Sequence, residues 1–282
     1  MPKSPLSLSA CWLALALCAP AGAGQYFIIE VPQLTHVGGI NRYGDVIGGS
    51  GTANNLLYVH RSGVVDTLPL TDAAGINDRG QIAGTLFQPA PQAAVAYESG
   101  GLQLLGPSPL SMAAGISNAG FVAGTVGDFH ARSHAVAWRL QDPATTTELG
   151  SLVTDDPYRF IFDPQSESNA VNDSGVVVGD SDVIVFDSDG NPTGAGMHAF
   201  RWENGVMTDL GTLAGGDSFS RANAINRNGE VVGVSQTAAG STHAFLIRGK
   251  RMLDLGDLAR DPTLNSWASG IDADGALNRG NL

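Results

Sequence analysis

Two stretches of the chain, 153–167 and 180–197, concentrate the side chains best suited to hold a ligand. The first contains Asp155, Tyr158, Arg159 and Phe162; the second contains Asp182, Asp187 and Asp189. Carboxylates and a guanidinium satisfy hydroxyls or peptide groups, and aromatic rings offer flat apolar faces, so this mixture suits a carbohydrate or a protein segment. Paired carboxylates are also the equipment of glycoside hydrolysis, which makes a polysaccharide-active hydrolase or lyase the rival reading. Asp187-Ser188-Asp189-Gly190-Asn191 echoes part of a calcium loop, because alternate oxygen ligands can converge on a hard cation. It lacks the distal bidentate Glu, and an Asp/Gly/Asn turn is the simpler expectation, so calcium is the single cofactor considered and none is expected. No G-x-S-x-G elbow is present. Both cysteines, Cys11 and Cys18, fall in the first 23 residues, which leaves thiol chemistry without a residue beyond them.

Histidines recur at equivalent places: His134-Ala135-Val136, His198-Ala199-Phe200 and His243-Ala244-Phe245. Repetition argues for a scaffold device, with each imidazole bonding a neighbouring strand, rather than for a shared metal ion. The same reasoning covers Glu148, Asp209 and Asp254, which precede Leu-Gly.

The elements that must position these residues form a degenerate repeat. A small residue, Ile or Val, an Asn, Ser or Asp, and a Gly three residues later recur six times, with the Ile or Val at 40, 76, 116, 171, 225 and 271. The Asx or Ser side chain can bond backbone two residues on, and the Gly supplies positive φ, which together make a tight turn between antiparallel strands. A second run follows and ends in Gly at 48, 84, 124, 179 and 233. A third opens with His-Ala, and a fourth ends in Leu-Gly-x-Leu or a relative. The steps between turns are 36, 40, 55, 54 and 46 residues, and four short strands in roughly 40–50 residues is the arithmetic of a propeller blade. Units begin near 37, 73, 113, 168, 222 and 268. The expected fold is therefore an all-β propeller of about six four-stranded blades. Residues 276–279 replace the apolar run of the sixth unit, so the last blade is expected to be incomplete, with Tyr26–Leu34 arriving as a strand that closes it.

These units resemble the HAF-type repeats of bacterial extracellular proteins. The resemblance rests on the His-Ala-Phe triplets, the D-L-G-x-L runs and the I-N-x-x-G-x-V-V-G turn, and covers about residues 26–275. It implies an exported or surface repeat protein, with a β-propeller fold and no catalytic residues to carry over.

Composition sets the remaining bounds. Residues 1–23 read as a signal peptide: Lys3, an apolar run over 10–19, then Ala21-Gly22-Ala23. That run is too short for a spanning helix. Residues 24–282 form one repeat domain, destined for the extracellular space, the cell surface or the periplasm. The formal charge of −12 disfavours nucleic acid as a partner. A non-enzymatic binding module whose long connections gather on one face is the expected function.

Overall fold

The computed structural model describes residues 12–15, 27–30, 34–50, 55–59, 63–70, 72–86, 93–98, 101–107, 110–127, 132–153, 164–186, 189–214, 216, 218–256, 264–273 and 275–281. Every regular element among them is a strand. A hairpin of β1 (Trp12–Leu15) and β2 (Phe27–Glu30) precedes the repeats. Unit one comprises β3 (His36–Ile40), β4 (Val46–Ser50), β5 (Asn55–Val59) and β6 (Val65–Leu68). Unit two comprises β7 (Asp72–Ile76), β8 (Ile82–Leu86), β9 (Ala93–Glu98) and β10 (Gly101–Leu104). Unit three holds β11 (Ser111–Ile116), β12 (Phe121–Gly127), β13 (Ser133–Arg139) and β14 (Asp142–Gly150). Unit four holds β15 (Ser166–Val171), β16 (Val177–Phe186), β17 (Pro192–Glu203) and β18 (Val206–Gly211). Unit five holds β19 (Ser220–Ile225), β20 (Val231–Gln236), β21 (Thr242–Arg248) and β22 (Arg251–Asp254). Unit six has β23 (Ser266–Ile271) and β24 (Leu277–Asn281).

Units one to five are four-stranded antiparallel meanders, each paired in chain order. Their first turns follow the chemistry read from the sequence. Asn41, Asn77, Asn172 and Asn226 each accept, through Oδ1, the N–H two residues on. The glycine that follows stands at φ +77° to +86° in all six turns.

The core lies between adjacent sheets rather than within any one of them. Ile47, Leu68 and Leu70 of unit one and its link pack on Ile76, Ile82 and Val95 of unit two. Ala123, Ala135 and Leu149 of unit three meet Val177 and Phe200 of unit four. Successive residues of a strand face opposite sides of the sheet, so one strand serves two joints. Phe200 packs towards unit three while its neighbour Ala199 packs towards unit five. That alternation explains the Ala-Phe pairing of the repeat. A buried Phe contributes roughly 1.5–3 kcal/mol, and a small partner lets the next sheet approach.

Each first strand carries a β-bulge at the same place, between residues 37 and 39 in unit one and at the corresponding positions of the other five. The bulge brings a backbone carbonyl of the first strand against the second. A Cβ at Gly48, Gly84, Gly124, Gly179 or Gly233 would collide with the carbonyl oxygen of His36, Asp72, Met112, Glu167 or Arg221 respectively. The glycine ending the second run is thus required by close backbone approach.

Four expectations are corrected. The described residues form five four-stranded sheets and a two-stranded sixth unit, not six four-stranded blades. Within 26–34 the described strand is β2, whose backbone groups bond β1, so it does not close the last blade. Residues 276–279, read as replacing the apolar run of the sixth unit, do not prevent a second strand: Leu277–Asn281 form β24 and pair with β23 from Ile271↔Leu277 to Ser266↔Asn281. The Asp272–Gly275 turn sets that register through backbone bonds, whatever the side chains are. The stretch 180–197, read as a long loop, is a hairpin extension of β16 and β17, paired from Asp180↔Ala199 to Phe186↔Pro192. Its Val183-Ile184-Val185 run favours strand.

Candidate functional site

The repeated polar residues prove to be structural couplings, two sets joining neighbouring units and a third joining neighbouring strands within one unit. Each turn Asn donates Nδ2 to the backbone of the next turn: Asn41 to Asn77 O at 3.2 Å, Asn77 to Ser117 O at 3.0 Å, Asn172 to Asn226 O at 3.2 Å and Asn226 to Asp272 O at 3.1 Å. A second set joins the third strand of one unit to the first strand of the next. Ser111, Ser166, Ser220 and Ser266, all nearly inaccessible, accept the backbone N–H of Ala94, Ala135, Ala199 and Ala244 at 2.8–2.9 Å. The third set ties His198 Nδ1 to Asp209 at 2.9 Å and His243 Nδ1 to Asp254 at 3.0 Å. Asp209 and Asp254 also accept the N–H of Gly211 and Gly256. Burial pushes the Asp209 carboxyl up, but His198 and the Gly211 N–H outweigh it and hold it below its ordinary value. The scaffold reading of these histidines and aspartates holds for both pairs. The coupling serines carry no motif signal, because a lone Ser before a strand is common and its partner is in the preceding unit.

The six turns converge on one cavity of about 560 Å³, lined from every unit, including Ile40, Ile76, Ile116, Val171, Ile225 and Ile271. The first strands therefore surround a common axis, and their turns form one of its mouths. The opposite mouth is framed by their beginnings. Four residues before each Ile or Val stand His36, Asp72, Met112, Glu167, Arg221 and Trp267. His36, Asp72 and Met112 are exposed, and the other three are half-buried. Their neighbours on either side obey the repeat; these six share no side-chain chemistry.

One polar network is anchored here. Arg221 Nε lies 3.0 Å from Asp180 Oδ1, and its Nη2 lies 3.6 Å from Glu167 and 3.2 Å from Asn169 Oδ1. Asn169 Nδ2 donates to Asp180 at 2.9 Å and to Ala222 O at 2.9 Å. Asp180 is almost wholly buried. Desolvation raises its pKa, and the opposing effects of Arg221 and Asn169 do not cancel the rise.

The described ends of the long excursions meet near the base of β16. Asp182, on β16, accepts the Gln165 N–H at 2.9 Å and donates its own N–H to Gln165 O at 2.9 Å. Leu152 N donates to Ser181 Oγ at 3.0 Å. Both ends of the 153–165 excursion are thereby fixed to the base of the β16–β17 hairpin. Asp182 thus bonds backbone through one carboxylate oxygen, and burial raises its pKa. Asp189 stands exposed at the hairpin tip beside Gly190, which has φ +81°. Asp155, Tyr158, Arg159, Phe162 and Asp187 lie outside the described residues. The calcium-like stretch is described only over Asp189–Asn191, where it is a turn. Among the described residues no group of three or more His, Cys, Asp or Glu is placed to hold a metal ion, and no helix is long and apolar enough to cross a membrane.

No protein-family model matches the chain, and no curated protein matches it. Solved structures do. A TolB-like protein from Agrobacterium tumefaciens superposes with a TM-score of 0.54 at 15% identity, covering 83% of this chain and 85% of that one. TolB from Acinetobacter baumannii gives a TM-score of 0.46 at 13% identity, covering 80% and 59%. The β-propeller domain of the Trilobed protease from Pyrococcus furiosus gives 0.42 at 9%, covering 84% and 85%. At these identities the likeness bears on fold alone: the chain is a β-propeller.

Proposed function

We propose that this chain is an exported, non-enzymatic propeller that binds an extracellular carbohydrate or protein through the mouth framed by His36, Asp72, Met112, Glu167, Arg221 and Trp267. The β16–β17 hairpin and the 153–165 excursion extend that surface, with Asp155, Tyr158, Arg159, Phe162, Asp182, Asp187 and Asp189 as the proposed contacts. One observation carries the reading. Six structurally equivalent positions at the starts of the first strands have been freed from the repeat, and they carry an imidazole, two carboxylates, a thioether, a guanidinium and an indole. A purely structural position in a repeat is filled by the residue that packs, as at the neighbouring serines. Export is supported by the basic, apolar and small-residue order of residues 1–23 and by the resemblance to HAF-type repeats.

The test is a glycan and peptide array probed with residues 24–282, repeated with Asp72→Ala, Met112→Ala, Asp155→Ala, Tyr158→Ala and Asp187→Ala. A ligand lost in the Asp72 and Met112 variants supports the axial mouth. Binding unchanged in all five would remove this face as the site.

A further inference from the structure

We infer a second binding site, for a neutral pyranose sugar, in the cleft between units three and four at the tight-turn end of the molecule. It lies at unit three, which lacks a polar pair that units one, two and five share and carries an aromatic ring in its place. In units one, two and five the turn Asn donates to an acceptor four residues on: Asn41 to Asp45 at 3.0 Å, Asn77 to Gln81 at 2.7 Å and Asn226 to Glu230 at 2.8 Å. In unit three both partners are replaced, by Ser117 and Phe121. Ser117 Oγ accepts the Phe121 N–H at 3.2 Å, and serine has no carboxamide with which to reach the next turn. The Phe121 ring instead turns towards unit four, close enough to Gly175 that a Cβ there would sit 2.9 Å from it.

The joint opens into a cleft of about 180 Å³ lined by Phe121, Trp138, Arg139, Ser174, Trp202 and Glu203, among others. That is the liquid volume of about six waters, a space on the scale of one monosaccharide ring. Phe121 and Trp202 supply its aromatic walls, the Trp138 ring lying on the other face of β13 against unit two, and its rim can donate and accept hydrogen bonds. Arg139 lies 4.4 Å from the Phe121 ring centroid, so a cationic ligand would meet a like charge already placed on the aromatic face. Glu203, held by Arg201 at 3.0 Å, works against an anionic one. A ligand with an apolar face, polar edges and no net charge remains, and a pyranose has that form.

The test uses residues 24–282 and the methyl glycosides of glucose, galactose, mannose and N-acetylglucosamine, followed by tryptophan fluorescence and by NMR of the indole N–H groups. At least one sugar should give saturable shifts in the Trp202 signal, while the Trp138 indole N–H, bonded to Thr146 on the far face of the sheet, serves as the internal control. Ser174→Phe fills the cleft from an exposed turn and should weaken that sugar at least about tenfold. The double variant S117N/F121Q introduces the polar pair of unit two, removes the Phe121 wall, and should lose the sugar while still unfolding in one cooperative transition. Asp72→Ala should leave the sugar bound, which separates this site from the axial mouth. Absence of shifts with all four sugars, or shifts that persist in both cleft variants, would overturn the assignment.

Discussion

At the scale of single residues, the repeat is a set of hydrogen bonds between neighbours that the sequence shows only as recurring letters. Ser220 is the plainest case. Its Oγ is sealed from solvent and accepts the Ala199 N–H at 2.8 Å. Ser220→Ala leaves that N–H unsatisfied and should cost about 1–3 kcal/mol, read as a lower denaturation midpoint with unchanged slope. The carboxylates make predictions of opposite sign. Asp209 has a depressed folded value, so the stability it contributes is present above its unfolded value of about 3.9. That stability is lost as pH falls through the folded value. Stability measured against pH should therefore show the Asp209→Asn variant converging on the parent below about pH 4. Asp180 is raised, so its ionisation costs stability as pH climbs through its folded value, and the penalty vanishes on acidification. Asp180→Asn should flatten that part of the profile.

At the scale of elements, the decisive device is the bulged first strand against a glycine on the second. Gly233 has no room for a methyl group because the Arg221 carbonyl lies against it. Gly233→Ala must push β19 off β20 and should destabilise by about 3 kcal/mol, with loss measurable by chemical denaturation. The bulge also explains why the six residues at the axial mouth are free to differ. In units one to five their carbonyls are tucked against the glycine, which fixes the backbone without using the side chain.

At the scale of the whole molecule, the joints between units carry the core, so stability passes from unit to unit as in other repeat proteins. Ala268, the buried contribution of unit six, packs on Val232, Ala244 and Leu246 of unit five. Ala268→Asp would bury an unpaired charge there and should cost about 3 kcal/mol or more. Hydrogen exchange should accelerate in β20 and β21 as well as in β23, whereas a unit folding alone would confine the change to β23.

Much of the architecture was legible in the linear chain. Turns of Asn or Asp with a Gly three residues later, runs of four strands, and the scaffold role of His198 and His243 follow from local chemistry, because tight turns and strand alternation depend on nearest neighbours. Blade count, the fate of residues 26–34 and the hairpin at 180–197 did not follow, because strand pairing depends on which backbone groups find partners, and the side-chain pattern does not name them. The candidate site was half visible. Sequence pointed to the long-connection end, where Asp182 is found, but it did not show that Asp182 also bonds the Gln165 backbone. His36, Asp72, Met112, Glu167, Arg221 and Trp267 lie far apart in the chain and share no motif. Only the closing of six first strands around one axis makes them neighbours, because radial packing converts equal positions in successive repeats into a single rim.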